Sequence, residues 1–224
     1  MSAERPLRHG RETDFHLIET MRREADGTVP RLELHLTRLS ASATALGFAC
    51  DIGKIATQLE TIEAADHSLR VRLALWKDGS SDVEITPFVA VDTDTVWTLR
   101  LAAERLNSAD PLLRHKTSHR AVYDSARAEF PRAEADEVLL LNQKGQLCEG
   151  TITTLFARVD DGPLVTPPLE CGLLAGVLRA ELIAQGLARE HVLTPEDAFS
   201  ARELFVGNSL RGLVPARLDA KMRA

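Results

Sequence analysis

The stretch Leu147-Cys148-Glu149-Gly150-Thr151-Ile152-Thr153-Thr154-Leu155-Phe156 decides how this chain is read. It is strand-like and rich in β-branched residues, yet it carries an acid followed directly by glycine. A carboxylate within such a run is costly to bury unless something offsets its charge. Two readings stand side by side: an exposed glutamate at a bulged edge strand, or a buried Glu149 that meets a cationic nitrogen. Upstream, Leu113-Arg114-His115-Lys116-Thr117-Ser118-His119-Arg120 runs on to Tyr123, the single tyrosine of the chain. If a helix begins by Lys116, positions 116, 120 and 123 share one face. A lysine set among cations has its ammonium form disfavoured and becomes a better nucleophile toward a carbonyl. The plain alternative is a solvated basic helix start.

Farther out, His35-Leu36-Thr37-Arg38-Leu39 sits in a segment where Leu32, Leu36, Leu39, Ala43 and Leu46 recur at helical spacing. Arg38 lies beside that apolar stripe. Its guanidinium either snorkels off the surface or turns inward, where it matches an oxyanion with paired hydrogen bonds. On the other side, Thr166-Pro167-Pro168-Leu169 leads into Gly172-Leu173-Leu174-Ala175-Gly176-Val177-Leu178-Arg179. Glycines there open a helix whose first amides are a ready anion site. Phe205-Val206-Gly207-Asn208-Ser209-Leu210-Arg211-Gly212 then places an amide and a hydroxyl at the end of a strand.

The remaining pattern alternates strands with isolated helices. Strands are expected over 15–22, 69–76, 83–88, 96–101, 137–141, 147–158, 164–165 and 204–206. Helices are expected over 31–48, 52–65, 118–128, 176–185 and 195–201. Asp26-Gly27 reads as a hairpin turn, and 102–115 as the connection between two lobes. The class is α+β, or mixed α/β, with lobes at 1–106 and 107–224.

Composition narrows the function. The 224 residues include 27 Lys and Arg against 33 Asp and Glu, a net charge of −6, so general nucleic-acid binding is disfavoured and a local cationic pocket remains open. Aromatics at 4% leave little stacking surface for single strands. Cys50, Cys148 and Cys171 lie far apart with no C-x-x-C pair. A disulfide scaffold or metal knuckle is therefore not expected, and a reducing, cytoplasmic setting is. Met1–Glu12 carries Glu4, Arg5, Arg8 and Arg11 and no apolar core for export, and no apolar run is long enough to span a bilayer.

Taken in order, H-x-x-R-L at 35–39, K-T at 116–117, E-G-T-x-T-x-L-F at 149–156, T-P-P-L at 166–169, G-L-L-x-G-V-L-R at 172–179 and G-N-S-L-R-G at 207–212 resemble the class IV aminotransferases, fold type IV of the pyridoxal-phosphate enzymes. The likeness spans Phe15 to Leu218. Within the family it runs nearest to the 4-amino-4-deoxychorismate lyases, especially the module fused behind para-aminobenzoate synthase component I, through 110–117 and 208–212. The resemblance implies a two-lobed, D-amino-acid-aminotransferase-like architecture with a shortened N-terminal lobe, because the strand and acidic-glycine turn that usually precede Phe15 are not matched.

It implies pyridoxal 5′-phosphate as cofactor, Lys116 as the catalytic lysine that condenses with the cofactor aldehyde, and Glu149 as partner of the pyridine nitrogen. Arg38, the backbone amides of Val177 and Leu178, and Ser209 are implied to hold the phosphate. Many relatives carry threonine where Leu178 stands. Arg120, Asn208 and Arg211 are the substrate-binding candidates, and Tyr123 matches a family tyrosine only loosely. The implied reaction releases pyruvate to leave 4-aminobenzoate. The alternatives are an amino-acid aminotransferase of branched-chain or D-amino-acid type, and a non-catalytic cofactor-binding paralogue. A homodimer is implied, with a para-aminobenzoate synthase as a further partner.

Overall fold

The structure, a computed structural model, describes residues 15–219; the charged stretch Met1–Glu12 lies outside them. Strands β1 (Leu17–Arg23), β2 (Leu69–Leu75) and β3 (Ser81–Pro87) form an antiparallel sheet in that order. Helices α1 (Leu32–Leu46) and α2 (Ile52–Glu60) cover one face. Leu17, Met21, Leu36, Leu39, Ile55, Leu59, Val71 and Leu73 fill the space between. The Asp26-Gly27 turn exists, with Gly27 at φ +88°, but it does not make a hairpin. It leads into α1, and β1 pairs with β2. Gly47, at φ 68°, ends α1 as the sequence suggested. Asp51 caps α2 by accepting from Lys54 N at 3.0 Å. That helix stops at Glu60 rather than Ala65, because Glu63, Ala64 and Asp66 are exposed and no apolar face continues.

The second sheet contains β4 (Trp97–Leu106), β5 (Glu137–Asn142), β6 (Leu147–Gly150), β7 (Thr154–Arg158), β8 (Leu164–Thr166), β9 (Ala188–Glu190), β10 (Glu203–Asn208) and β11 (Gly212–Leu218). Its order is β10-β11-β4-β5-β6-β7-β8-β9, and a further pairing of β10 with β7 closes β4, β5, β6, β7, β10 and β11 into a ring. The fold is thus mixed α+β. β4 outlasts the expected strand by five residues, 102–106, since a register shift between Leu101 and Arg105 hides the continuation as lost periodicity. The expected division at 106/107 falls at the end of β4, and β4 hydrogen-bonds into the second sheet. β11 was not expected, since Pro215 and a single buried residue, Val214, give it no strand pattern. β9 is too short to show one. Helices α3 (Ala121–Ala128), α4 (Val177–Ala184) and α5 (Pro195–Ser200) complete the described chain. Among the described residues no helix is long and apolar enough to cross a membrane.

The expected strand 147–158 is broken in two, and the cause is a residue the sequence reading passed over. Glu137, 1% exposed at the head of β5, aims its carboxylate into the bend 151–153. Its Oε1 accepts from the amides of Val138 and Thr151 and from Thr151 Oγ1; its Oε2 accepts from Ile152 N and Thr153 Oγ1. Five donors at 2.6–3.1 Å stabilise a buried carboxylate as a cation would. Gly150 lets the carboxylate come this close: a Cβ there would lie 2.8 Å from Glu137 Cδ. Glu137→Gln turns an amide NH2 toward donors and is expected to cost about 2–4 kcal/mol in urea unfolding, where a surface Glu→Gln costs little.

Candidate active site

Past β4, a single 3-10 turn at Pro111–Arg114, capped by Asp110 Oδ1 on Leu112 N at 2.8 Å, turns the chain back toward the first sheet. Residues 115–120 then run extended against β1. Ile18 N donates to Lys116 O at 2.8 Å, and Ser118 N to His16 O at 2.9 Å. Lys116 therefore sits on the seam between the two sheets. The helix expected over 118–128 begins later, at Ala121, and Lys116 lies outside it, because the Lys116 carbonyl and the Ser118 amide pair with β1. Lys116, Arg120 and Tyr123 still converge, as walls of one cavity of about 660 Å³.

Two walls of that cavity carry mismatched charges. Burial pulls the Lys116 ammonium down to about 8, with nearby Arg38 adding to the effect and Glu19 opposing it. Burial pushes Glu149, 5% exposed, up to about 7, although Tyr123, the Leu174 amide and Lys116 all favour its charge. Tyr123 donates its hydroxyl to Glu149 Oε1 at 2.7 Å, and Leu174 N donates to the same oxygen at 3.1 Å. The phenol is held far above its ordinary range, by burial first and the adjacent carboxylate second, so it stays a donor. Among the described residues no ion pair within 4.0 Å reaches Glu149 or Lys116. Glu149 is thus the buried acid of the two sequence alternatives, and Tyr123 serves it directly.

Arg38 turns inward. Its Nε and Nη2 donate to Glu19 Oε1 and Oε2 at 2.8 and 2.6 Å, and Nη1 donates to Ala175 O at 3.1 Å. One N–H each on Nη1 and Nη2 is left to face the cavity. Glu19, 1% exposed, also meets His35 Nδ1 at 2.6 Å, and His35 Nε2 meets Ser209 Oγ at 2.5 Å. Burial works against Glu19's charge, yet Arg38 and His35 outweigh it and hold the carboxyl down to about 2. Arg31, at φ 65° in the left-handed region, donates to Glu181 at 2.7 Å and to Ser209 O at 3.3 Å, pinning α1 to α4 and to the 209 turn. The amides of Val177 and Leu178 precede the first bond within α4, Ala180 N to Gly176 O, and no side chain caps them. Arg38, Val177, Leu178 and Ser209 all line the cavity and form its anion-facing corner.

The mouth is cationic. Arg120 donates to Thr151 O at 2.7 Å and lies over the Tyr123 ring, 5.1 Å from its centroid. Asn208 donates to Ile152 O at 3.1 Å, and its Oδ1 accepts from the Leu210 and Arg211 amides, so it shapes the turn that carries Ser209. Arg211 lies over Trp97; burial above all, with Arg70 and Arg132 adding to it against Glu137, lowers its pKa. Arg70 and Arg72 also line the cavity, and the sequence reading missed both. On β2 they alternate with the buried Leu69, Val71, Leu73 and Leu75, so a strand with one core face turns two guanidiniums toward the site. Glu19 was missed too. It shares the core face of β1 with Leu17 and Met21, and an acid at an apolar register position was the available signal.

The model of the class IV amino-transferase family matches residues 16–218. A solved structure from Mesorhizobium loti, assigned by name to the amino-acid aminotransferases, is 51% identical and superposes with a TM-score of 0.89 over 92% of this chain and 100% of its own. A Schizosaccharomyces pombe protein assigned by name to the aminodeoxychorismate lyases is 32% identical over 83% of each chain. A Methanocaldococcus jannaschii protein assigned by name to the branched-chain-amino-acid aminotransferases is 30% identical over 86% of this chain and 75% of its own.

The raised Glu149 gives a stability prediction for the cofactor-free protein. Its folded-state pKa lies above the unfolded value, so ionisation costs nothing below about pH 4.5, costs progressively more up to pH 7, and costs its full amount above. Glu149→Gln is expected to stabilise that protein by about 1–3 kcal/mol at pH 8 in denaturant unfolding, with the gain gone at pH 4.5.

Proposed function

The chain belongs to the class IV amino-transferase family, and from that premise we propose that it is a pyridoxal-5′-phosphate-dependent lyase that releases pyruvate from 4-amino-4-deoxychorismate and leaves 4-aminobenzoate. Members of this family depend on that cofactor. The observation that carries the reading is a cavity in which a lysine without a counter-ion faces five arginines and only two acids. The residues present fit the cofactor. Glu149 is a buried carboxylate that, among the described residues, has no ion pair within 4.0 Å, and a pyridinium nitrogen would supply one. Arg38, Ser209 and the first amides of α4 together suit a phosphate.

When bound, the cofactor supplies an electron sink for charge that develops at the amine-bearing carbon. Lys116, with its pKa near 8, has a neutral amine available at physiological pH. It takes the proton from that carbon onto Nζ and returns it to the departing enolpyruvyl group as the carbon–oxygen bond breaks. Glu149, fixed through Oε1 by Tyr123 and Leu174, presents Oε2 as an oriented anion. Arg72, Arg120 and Arg211 hold the carboxylates of a doubly anionic substrate against the mouth and exclude water from it. The lyase name of the S. pombe relative supports this choice.

A second reading, transamination of an amino acid, is favoured by the 51% identity to the Mesorhizobium loti protein. It would use the same lysine and glutamate, with Lys116 moving the proton and no group expelled. The purified protein is expected to be yellow with bound pyridoxal phosphate, and Lys116→Ala to lose the borohydride-fixed adduct. Pyruvate release from aminodeoxychorismate without a keto acid supports the lyase; turnover that requires a keto acid overturns it in favour of the aminotransferase. Arg72→Met is expected to raise KM for the anionic substrate about tenfold or more, leaving cofactor affinity unchanged.

A further inference from the structure

The corner that faces the phosphate contains an unsettled proton. Glu19 is ionised, and a carboxylate only accepts. The 2.6 Å contact from Glu19 Oε2 to His35 Nδ1 therefore fixes a proton on Nδ1. His35 is fully buried, and its other nitrogen, Nε2, has one partner, Ser209 Oγ at 2.5 Å. In a neutral imidazole Nε2 is an acceptor, so the Ser209 hydroxyl must donate to it. Ser209 then turns only lone pairs toward the cavity. A phosphate dianion is itself acceptor-only, so in that state the hydroxyl and the phosphate repel. Adding one proton to Nε2 reverses the bond: Nε2–H donates to Oγ, and the Ser209 hydroxyl is released to donate into the cavity.

We infer that filling this corner with a phosphate dianion draws one proton from solvent onto His35 Nε2, which makes His35 a positioning residue that sets the donor direction of Ser209. The inference rests on the reading of this corner as the cofactor-phosphate site. The charged groups around the imidazole are consistent with this. Glu19 on β1 faces it directly. Arg38 and Arg31 lie on its own helix or at that helix's start, each paired with an acid, Glu19 and Glu181 respectively. Lys116 lies beyond, near Arg38 and Glu19. His115 reaches α1 only at Ser42, through a 2.9 Å contact. Glu19 is thus the anion that supports an imidazolium once the phosphate arrives.

The test uses the whole chain labelled with 15N-histidine at pH 8, where the phosphate of the free cofactor is a dianion. Pyridoxal phosphate, pyridoxal and inorganic phosphate serve as probes. The expected result is that His35 shows one protonated nitrogen in the free protein and with pyridoxal, and two with pyridoxal phosphate or inorganic phosphate. Calorimetry in buffers of different ionisation heat should give an uptake of about one proton more for pyridoxal phosphate than for pyridoxal. Inorganic phosphate affinity should fall with rising pH more steeply in the wild type than in Ser209→Ala. Ser209→Ala, which keeps the imidazole in place, should abolish the extra uptake and flatten the pH profile.

A 31P shift of the monoanion in the complex would overturn the inference, because the proton would then sit on the phosphate. So would His35 doubly protonated before binding, or an unchanged uptake in Ser209→Ala. Failure of pyridoxal phosphate to form a Lys116-dependent absorbance band would count against the function proposed above. The His35 measurement with inorganic phosphate decides the proton coupling independently.

Discussion

A single buried carboxylate, Glu19, ties β1 to α1 beside the cavity and, through α1, to the segments around β10 and α4. It sits on the core face of β1, where a hydrocarbon side chain would otherwise pack, and it is ionised there because Arg38 and His35 surround it. Through His35 it reaches Ser209 at the end of β10; through Arg38 it reaches Ala175 ahead of α4. Both contacts leave α1 and end on the segments that follow β10 and precede α4. Removing Glu19 would leave a guanidinium and an imidazole buried and unpaired, which costs more than the lost bonds alone. The shape of the anion-facing corner thus follows from this side chain, while the seating of α1 against α4 also uses the Arg31–Glu181 pair.

The opposite wall is built on the contrary principle. Where Glu19 is satisfied, Glu149 and Lys116 are each taken out of water without an ion-pair partner among the described residues. Such groups lower the stability of a protein that holds no ligand and are tolerated where a ligand supplies the missing charge. The contrast separates two kinds of buried acid: Glu19 and Glu137, offset by the chain itself, hold the frame, and Glu149, less fully offset, lines the cavity and is the group the proposed function gives to a ligand.

Much of this was legible in the residues. The helix spacing of Leu32, Leu36, Leu39 and Ala43, the acid in the 147–156 run and the glycines ahead of α4 each pointed to what the structure contains. What escaped notice depends on long-range pairing. Glu137 reads as an ordinary strand-opening acid until the 151–153 bend folds back over it. Arg70 and Arg72 look like the solvated face of a strand, because the sequence does not say that a second sheet closes over that face. β4 and β11 lose their pattern to a register shift and to Pro215, and a helix reaching Lys116 stays open in sequence because the bond of its carbonyl to β1 is long-range.

The bend held by Glu137 also carries the rim. The carbonyl of Thr151 receives Arg120, and that of Ile152 receives Asn208. Arg120 and Asn208 therefore hang from one short piece of backbone, while the corner lined by Arg38 and Ser209 hangs from Glu19. The two halves of the site are anchored by separate buried acids. Under the proposed function, substitutions in the bend re-aim the mouth without loosening the corner on Glu19, so a lineage can change its substrate while keeping its chemistry.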